Sequence, residues 1–279
     1  MSGSRAPVPF ETLRYEKRDG VAVITLSRPD RHNAIDPVMA RELPEAWRDV
    51  KDDPEVVVVI VTGAGERAFC TGFDVGVVAS EDKPVDIDGG VKGAPLGFTA
   101  LHNRCWKPVI TAVNGMVCGG GLHFVANSDL VLCSANATFF DTHVNVGLVA
   151  GLEPIGLARR GIPLDAVLRL SLVGRAERLS ATRALELGLT GDVVPQAALL
   201  PRAFELAAEI AKSSPAALAV TKRAIWESLD GGLGDAAALG WRIIREYWGH
   251  PDIAEGARAF REQRAPAWAP ASMAAKDTG

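Results

Sequence analysis

Through the first two thirds of the chain, apolar and β-branched residues fall in short runs separated by turn-forming residues, and after that in the three-to-four spacing of helices. Leu13 to Arg18 and Val21 to Leu26 flank Asp19-Gly20, a strong short turn signal that predicts a β-hairpin. Arg28-Pro29 ends it. Asp36-Pro37 then supplies an N-cap followed by proline at the first helical position, predicting a helix to about Val50 with a kink or break at its interior Pro44. Val56 to Val61 predicts a strand that enters a Gly63-Ala64-Gly65 turn, and Phe69-Cys70-Thr71-Gly72 reads as a second loop. Val109 to Val113 predicts a central strand, broken by Asn114-Gly115, after which Gly119-Gly120-Gly121 opens a helix-like stretch towards Asn127.

Further on, Asp129 to Cys133 predicts another strand, and Thr138 to Val146 a strand-like run that carries Asp141 and His143 on alternate positions. Leu152 to Arg159, Leu164 to Leu172 and, behind a Ser180 cap, Ala181 to Leu187 read as helices. Beyond Pro195 the pattern is almost wholly helical: Phe204 to Ala211, Ala216 to Leu229, Ala236 to Trp248 and Ile253 to Phe260. The alternation of strands and helices implies an α/β fold of stacked strand-strand-helix turns over residues 1–195, followed by a helical region over 196–279. Trp226, Trp241, Tyr247 and Trp248 give that region an aromatic content suited to an interface, or to an internal helical cap.

Composition narrows the classes of partner. Of 279 residues, 48% are hydrophobic and 23% charged, as in an ordinary soluble globule, and a net charge of -4 gives no electrostatic case for nucleic acid or an anionic membrane. No run of about eighteen apolar residues is present, and MSGSRAPVPFE lacks the apolar core of a signal peptide, so a cytoplasmic location is expected. The four cysteines, Cys70, Cys105, Cys118 and Cys133, show neither Cys-x-x-Cys pairing nor zinc-like spacing to histidine, and read as buried reduced thiols.

Two glycine-bearing loops carry the chemistry. Backbone N–H groups at a helix N-terminus lack intrahelical partners, and glycine lets another oxygen approach them closely, so such a loop can hold negative charge. Gly63-Ala64-Gly65-Glu66-Arg67-Ala68 also matches the dinucleotide fingerprint. Its context does not, because Glu81 and Asp82, near the expected ribose-binding distance, fall in a polar stretch, Ser80 to Gly97, that reads as loop.

Four motifs in order, Arg28-Pro29 with Asn33-Ala34, Ala68-Phe69-Cys70 through Gly72 and Asp74, Lys107-Pro108-Val109 through Asn114-Gly115 and Gly119-Gly120-Gly121, and Glu255-Gly256 with Ala259-Phe260, resemble the crotonase superfamily, the enoyl-CoA hydratase/isomerase family. The resemblance covers roughly residues 12 to 268. It implies a crotonase-like spiral of ββα units with a C-terminal helical trimerisation region, and an acyl-CoA thioester substrate. It further implies that the backbone N–H groups of Phe73 and Gly120 form an oxyanion hole, within a binding surface that includes Ala68, Cys70, Gly72, Asp74 and Gly119. Arg31 or His32 would lie beside the pantetheine and phosphate end of coenzyme A. No metal and no cofactor beyond the coenzyme A moiety is implied, and a homotrimer or dimer of trimers is expected.

Hydratases that this chain resembles place glutamates two residues after the triple glycine and twenty residues later, where this sequence has His123 and His143. Imidazole titrates near neutrality, so it can exchange protons without the burial that a carboxylate needs. Family hydrolases of diketones resemble the His143 pattern, with an aspartate shortly afterwards. Its counterpart here is Leu152, next to Glu153, and Glu153-Pro154 reads first as helix-start chemistry. Asp141 is a second candidate to support His143. The reactions open at this level are hydratase/lyase or isomerase chemistry, hydrolysis of a thioester or β-diketone, and acyl-CoA binding without turnover.

Overall fold

The structure is a computed structural model and describes residues 10–74, 76 and 96–270. Most of the segment from Val75 to Phe98, expected to line the acyl pocket, lies outside the described residues, as do Glu81 and Asp82.

Strands β1 (Leu13–Arg18) and β2 (Val21–Leu26) form the expected hairpin, with Arg18 paired to Val21 and positive φ at Asp19 and Gly20. Helix α1 (Pro37–Asp52) starts on an Asp36 cap that accepts from Met39 N–H at 2.8 Å. It runs through Pro44 without the predicted break. Buried Met39, Leu43, Ala46, Trp47 and Val50 hold it to the core on both sides of the proline, and Trp47 Nε1 donates to the Phe98 carbonyl at 2.8 Å.

From there the chain alternates between two sheets. Strand β3 (Val58–Gly63) joins the large sheet and β4 (Ala68–Cys70) the small one; β5 (Val109–Val113) and β6 (Met116–Cys118) repeat the step, as do β7 (Leu130–Ser134) and β8 (Thr138–Phe140). With β9 (Leu179–Ser180) and β10 (Asp192–Val194), the orders are β1-β2-β3-β5-β7-β10 and β4-β6-β8-β9. These are the stacked turns the pattern implied.

Two local expectations are corrected. Ala68–Cys70 is a strand and not loop, because β6 pairs with it in parallel, Ala68 opposite Met116 and Cys70 opposite Val117. The strand-like run ends at Phe140, where the Asp141 carboxylate accepts from His143 N–H at 2.7 Å and turns the chain into a 3-10 turn over His143–Val146.

Helices α2 (Leu122–Ala126), α3 (Glu153–Arg159), α4 (Leu164–Val173) and α5 (Ala181–Glu186) complete the spiral. They are followed by α6 (Leu199–Ile210), α7 (Pro215–Ser228), α8 (Leu233–Tyr247) and α9 (Pro251–Glu262). Leu199, Ala203 and Ala207 of α6 pack on Val58, Ile60, Ile110 and Leu132 of the large sheet. Of the four tail aromatics, Trp241 and Trp248 are exposed, whereas Trp226 Nε1 donates inward to Asp129 Oδ1 at 2.7 Å. No helix of the described residues is long and apolar enough to cross a membrane.

Lys222 of α7 joins that inward contact. Its buried ammonium lies 2.8 Å from both Asp129 Oδ2 and the Lys107 carbonyl. Removing one member of a buried pair leaves the other uncompensated, so Lys222→Ala is expected to cost about 3 kcal/mol in urea unfolding. A loss below about 1 kcal/mol would show the clamp to be incidental.

Candidate active site

Parallel pairing sets the geometry of the site. Because β4, β6 and β8 run the same way, with Cys70 opposite Val117 and Cys118 opposite Phe140, the segments that leave their C-terminal ends emerge side by side. These are Thr71 to Asp74, Gly119 to Gly121, and Asp141 to His143.

The first two segments touch. Gly72, at φ +81°, comes so close to the second loop that a Cβ on it would lie 2.8 Å from Gly120 N. A Cβ on Gly121 would strike the Cys70 carbonyl, so only glycine fits there. Gly119, at φ +50°, faces the His143 ring, with His143 Cε1 3.4 Å from where its Cβ would be.

A parallel bridge to Ile35 fixes the segment around Phe73: Ile35 N–H donates to Gly72 C=O at 2.7 Å and Asp74 N–H to Ile35 C=O at 2.9 Å. Backbone groups of an extended segment alternate sides, so the intervening Phe73 N–H is directed away from Ile35. Arg28 locks the same loop, with Nη2 3.1 Å from Asp74 Oδ2 and Nε 3.2 Å from Asp36 Oδ2. The Asp74 carboxylate therefore holds the loop in place. Buried Asn33 donates to the carbonyls of Ala64 and Ala68, and Thr71 donates to the His32 carbonyl at 3.3 Å, which places Arg31 and His32 on the turn that borders the first loop. Burial pushes the Cys70 thiol up to about 12 and the Cys118 thiol to about 11, so both remain protonated; all four cysteines are buried and free.

The charged groups converge on Glu153. His123, on α2 and 3% exposed, has Nε2 3.2 Å from Glu153 Oε1, but misaligned for a hydrogen bond. His143 Nε2 approaches the same oxygen at 3.9 Å, while its Nδ1 lies 3.0 Å from Asp141 Oδ1. Glu153 does open α3, as its sequence implies, but it is buried and charge-paired as well, so helix-start chemistry alone does not describe it. Asp141 faces His143 although no strand carries them both: the 3-10 turn folds the ring back onto the carboxylate.

Burial raises the Glu153 carboxyl, but the adjoining His123 and the more distant His143 outweigh it, leaving the group below its usual range. The hydrogen bond to Asp141 raises His143, more than burial lowers it. The Asp141–His143 pair accordingly contributes stability that is fully present below about pH 6.5 and is lost as pH rises through the higher folded pKa. Urea unfolding between about pH 6 and 9 should show this decline, and Asp141→Asn, which keeps the acceptor for His143 N–H, should flatten it. An unchanged slope in the variant would assign the pH dependence elsewhere.

One member of the cluster is not visible in the sequence. The His102 ring meets that of His123 edge-on, 5.4 Å between centroids, and its Nε2 is 3.1 Å from Asn127 Nδ2. Burial and the neighbouring His123 push His102 down to about 4. Nothing local in Leu101-His102-Asn103 signals this, because the contact spans the chain from the turn before β5 to α2.

Two parallel strand ends with touching glycine loops, flanked by titratable groups on the next strand end, define the site of a crotonase-fold protein. The comparisons agree: the family model for enoyl-CoA hydratase/isomerase matches residues 16–271, and the chain belongs to that family, within the crotonase superfamily. It is 36% identical to an (E)-benzylidenesuccinyl-CoA hydratase of Thauera aromatica, over 94% of this chain and 98% of that protein. It is 34% identical to a carnitinyl-CoA dehydratase of Proteus mirabilis, over 92% and 98%. Among solved structures, an enoyl-CoA hydratase/isomerase from Mycobacterium paratuberculosis superposes with a TM-score of 0.83 at 41% identity, covering 93% of this chain and 99% of that one.

Proposed function

We propose that the chain is an acyl-CoA lyase of the hydratase or dehydratase type, in which two histidines bracketing Glu153 replace the pair of glutamates. The supporting observation is that His123 and His143 approach one buried carboxylate oxygen, at 3.2 and 3.9 Å, beside the Gly72–Gly120 contact. That the Thauera relative is a hydratase and the Proteus relative a dehydratase favours adding or removing water over moving a double bond.

In this reading the N–H groups of Phe73 and Gly120 hold the thioester oxygen, and the enolate charge develops on it. One imidazole takes a proton from water as the water oxygen bonds to the β-carbon; the other, protonated and held by Glu153, gives a proton to the α-carbon. Dehydration runs the same steps backwards. Coenzyme A itself lies along the turn bearing Arg31 and His32, and no further cofactor is needed. Hydrolysis of a thioester or β-diketone is the second reading, favoured by the His143–Asp141 pair, which resembles an oriented general base.

Incubation with crotonyl-CoA, a 3-hydroxyacyl-CoA, a 3-enoyl-CoA and a cyclic 1,3-diketone, with and without a chelator, separates these readings by product mass. Reversible gain or loss of one water is expected, unchanged by chelation. Ring cleavage of the diketone would favour the hydrolase; tight acyl-CoA binding in calorimetry without turnover would favour a non-catalytic binder. The same reading expects a homotrimer or dimer of trimers. Val149, Leu152 and Ile155, all close in sequence to Glu153, are exposed, as is Leu172, and Trp241, Trp248 and Phe260 add exposed apolar surface in the tail. Light scattering should find three or six copies, and a monomer alone at micromolar concentration would contradict this.

A further inference from the structure

The catalytic reading uses His123, His143 and Glu153 but leaves His102 without a role. His102 Nε2 faces the Asn127 amide at 3.1 Å; with Nδ2 on that side the amide donates, the ring nitrogen accepts, and the proton of the neutral ring sits on Nδ1. Asn127 is itself oriented, because its amide also donates to Thr99 Oγ1 at 3.2 Å. It lies one helical turn after His123, which sets His102 across that stripe with its ring edge-on to the His123 ring. Among the described residues, the buried His102 Nδ1 atom has no hydrogen-bond partner.

We propose that His102, held by Asn127 as the neutral Nδ1–H tautomer, is a positioning residue that leaves Glu153 as the only ionised neighbour in contact with His123. Around His123, the titratable groups among the described residues are His102 from the turn before β5, Glu153 at the start of α3, and His143 with Asp141 after β8; Phe98 covers another ring edge. A second cation at the His102 position would compete with His123 for the one carboxylate. A neutral ring there fills the space and excludes water without competing, so the Glu153 carboxylate is left to His123. Asn127 can impose this because its amide offers a donor to Nε2; a carboxylate at the same place would instead accept from Nε2–H and stabilise the imidazolium.

The proposal rests on the reading of His123 as a proton-transfer group only in its kinetic arm. The test is nitrogen NMR on the full-length protein with labelled histidine, which has five such residues to resolve. In the wild type, His102 is expected to show the Nδ1–H tautomer and no protonation between about pH 5 and 9, against an ordinary imidazole pKa of about 6.5. Asn127→Asp, whose carboxylate accepts from Nε2–H, should protonate His102 in that range and shift the pH–rate profile; the new carboxylate also lies one helical turn from His123, so the charge state of His102 is read directly. Asn127→Leu should abolish the fixed tautomer without adding charge and leave the pH–rate profile nearly in place. A wild-type His102 that is the Nε2–H tautomer, or that titrates near neutrality, overturns the proposal whether or not either variant folds. So does an Asn127→Asp variant in which His102 stays neutral across that range. If His102 behaves as expected in the NMR and the rate profile does not follow, it is the proton-transfer reading of His123 that fails.

Discussion

His123→Ala and His143→Ala are each expected to lower the single-turnover rate by about 100-fold or more, the usual scale for losing a positioned acid or base, while acyl-CoA affinity changes little. The two variants should differ in stability. His123 is buried with Glu153, so its removal leaves a buried carboxylate short of its nearest partner and should cost about 1–3 kcal/mol. His143 is more open, 15% exposed at the side chain, and its partner Asp141 keeps a second bond to the backbone, so a smaller loss is expected. Stopped-flow rates and unfolding curves on the same preparations separate chemistry from structure. Near-wild-type rates in both variants would refute the histidine mechanism.

A double variant sharpens the result. Because both rings approach the same Glu153 oxygen, removing them together should cost far less than the product of the single effects. Independent contributions that multiply would mean that the rings act at separate steps without sharing the carboxylate.

How much of this was legible in the sequence follows from how local each signal is. The hairpin around Asp19-Gly20 and the strand Val109–Val113 occur at the predicted residues, because turn residues and β-branched runs act on their own neighbourhood. Pro44 was read locally too, as a kink or break, and tertiary packing prevented the break: one missing backbone hydrogen bond is outweighed by five buried side chains on the same helix. The run after Thr138 reads as strand through Val146, yet Asp141 uses its side chain to turn the backbone at Phe140, a competition between side-chain and ladder hydrogen bonding that periodicity does not register.

The site shows the same division. Both glycine loops were visible as local turn signals, and both histidines through the resemblance of the surrounding motifs to the family, since each motif is a local property. Glu153 carries two roles at once. Its helix-start role is written in Glu153-Pro154, while its contact with His123 joins positions thirty residues apart and required the fold. His102 had no sequence signal at all, being an isolated histidine in a turn whose partners, His123 and Asn127, are supplied by α2.

Gly72→Ala is expected to be as damaging as removing a histidine, by a different route. Two terms add at this position. The backbone is at φ +81°, where a side chain costs about 1–2 kcal/mol, and the new Cβ would lie 2.8 Å from Gly120 N, where neither backbone can yield cheaply. The contact joins the two loops proposed to grip the thioester oxygen, so pushing them apart should move Phe73 N–H and Gly120 N–H off a common acceptor. Losing one such donor typically lowers kcat by about 100- to 1000-fold. Gly188→Ala provides the control: Gly188 is at φ +75° but a Cβ there meets nothing within 4 Å, so it carries the conformational strain without the collision. Gly188→Ala should lose the strain term alone, about 1–2 kcal/mol, and keep its rate, whereas Gly72→Ala should lose rate far beyond what its unfolding curve explains. Equal rates in the two variants would show that the loop contact is structural and that the oxygen is held elsewhere.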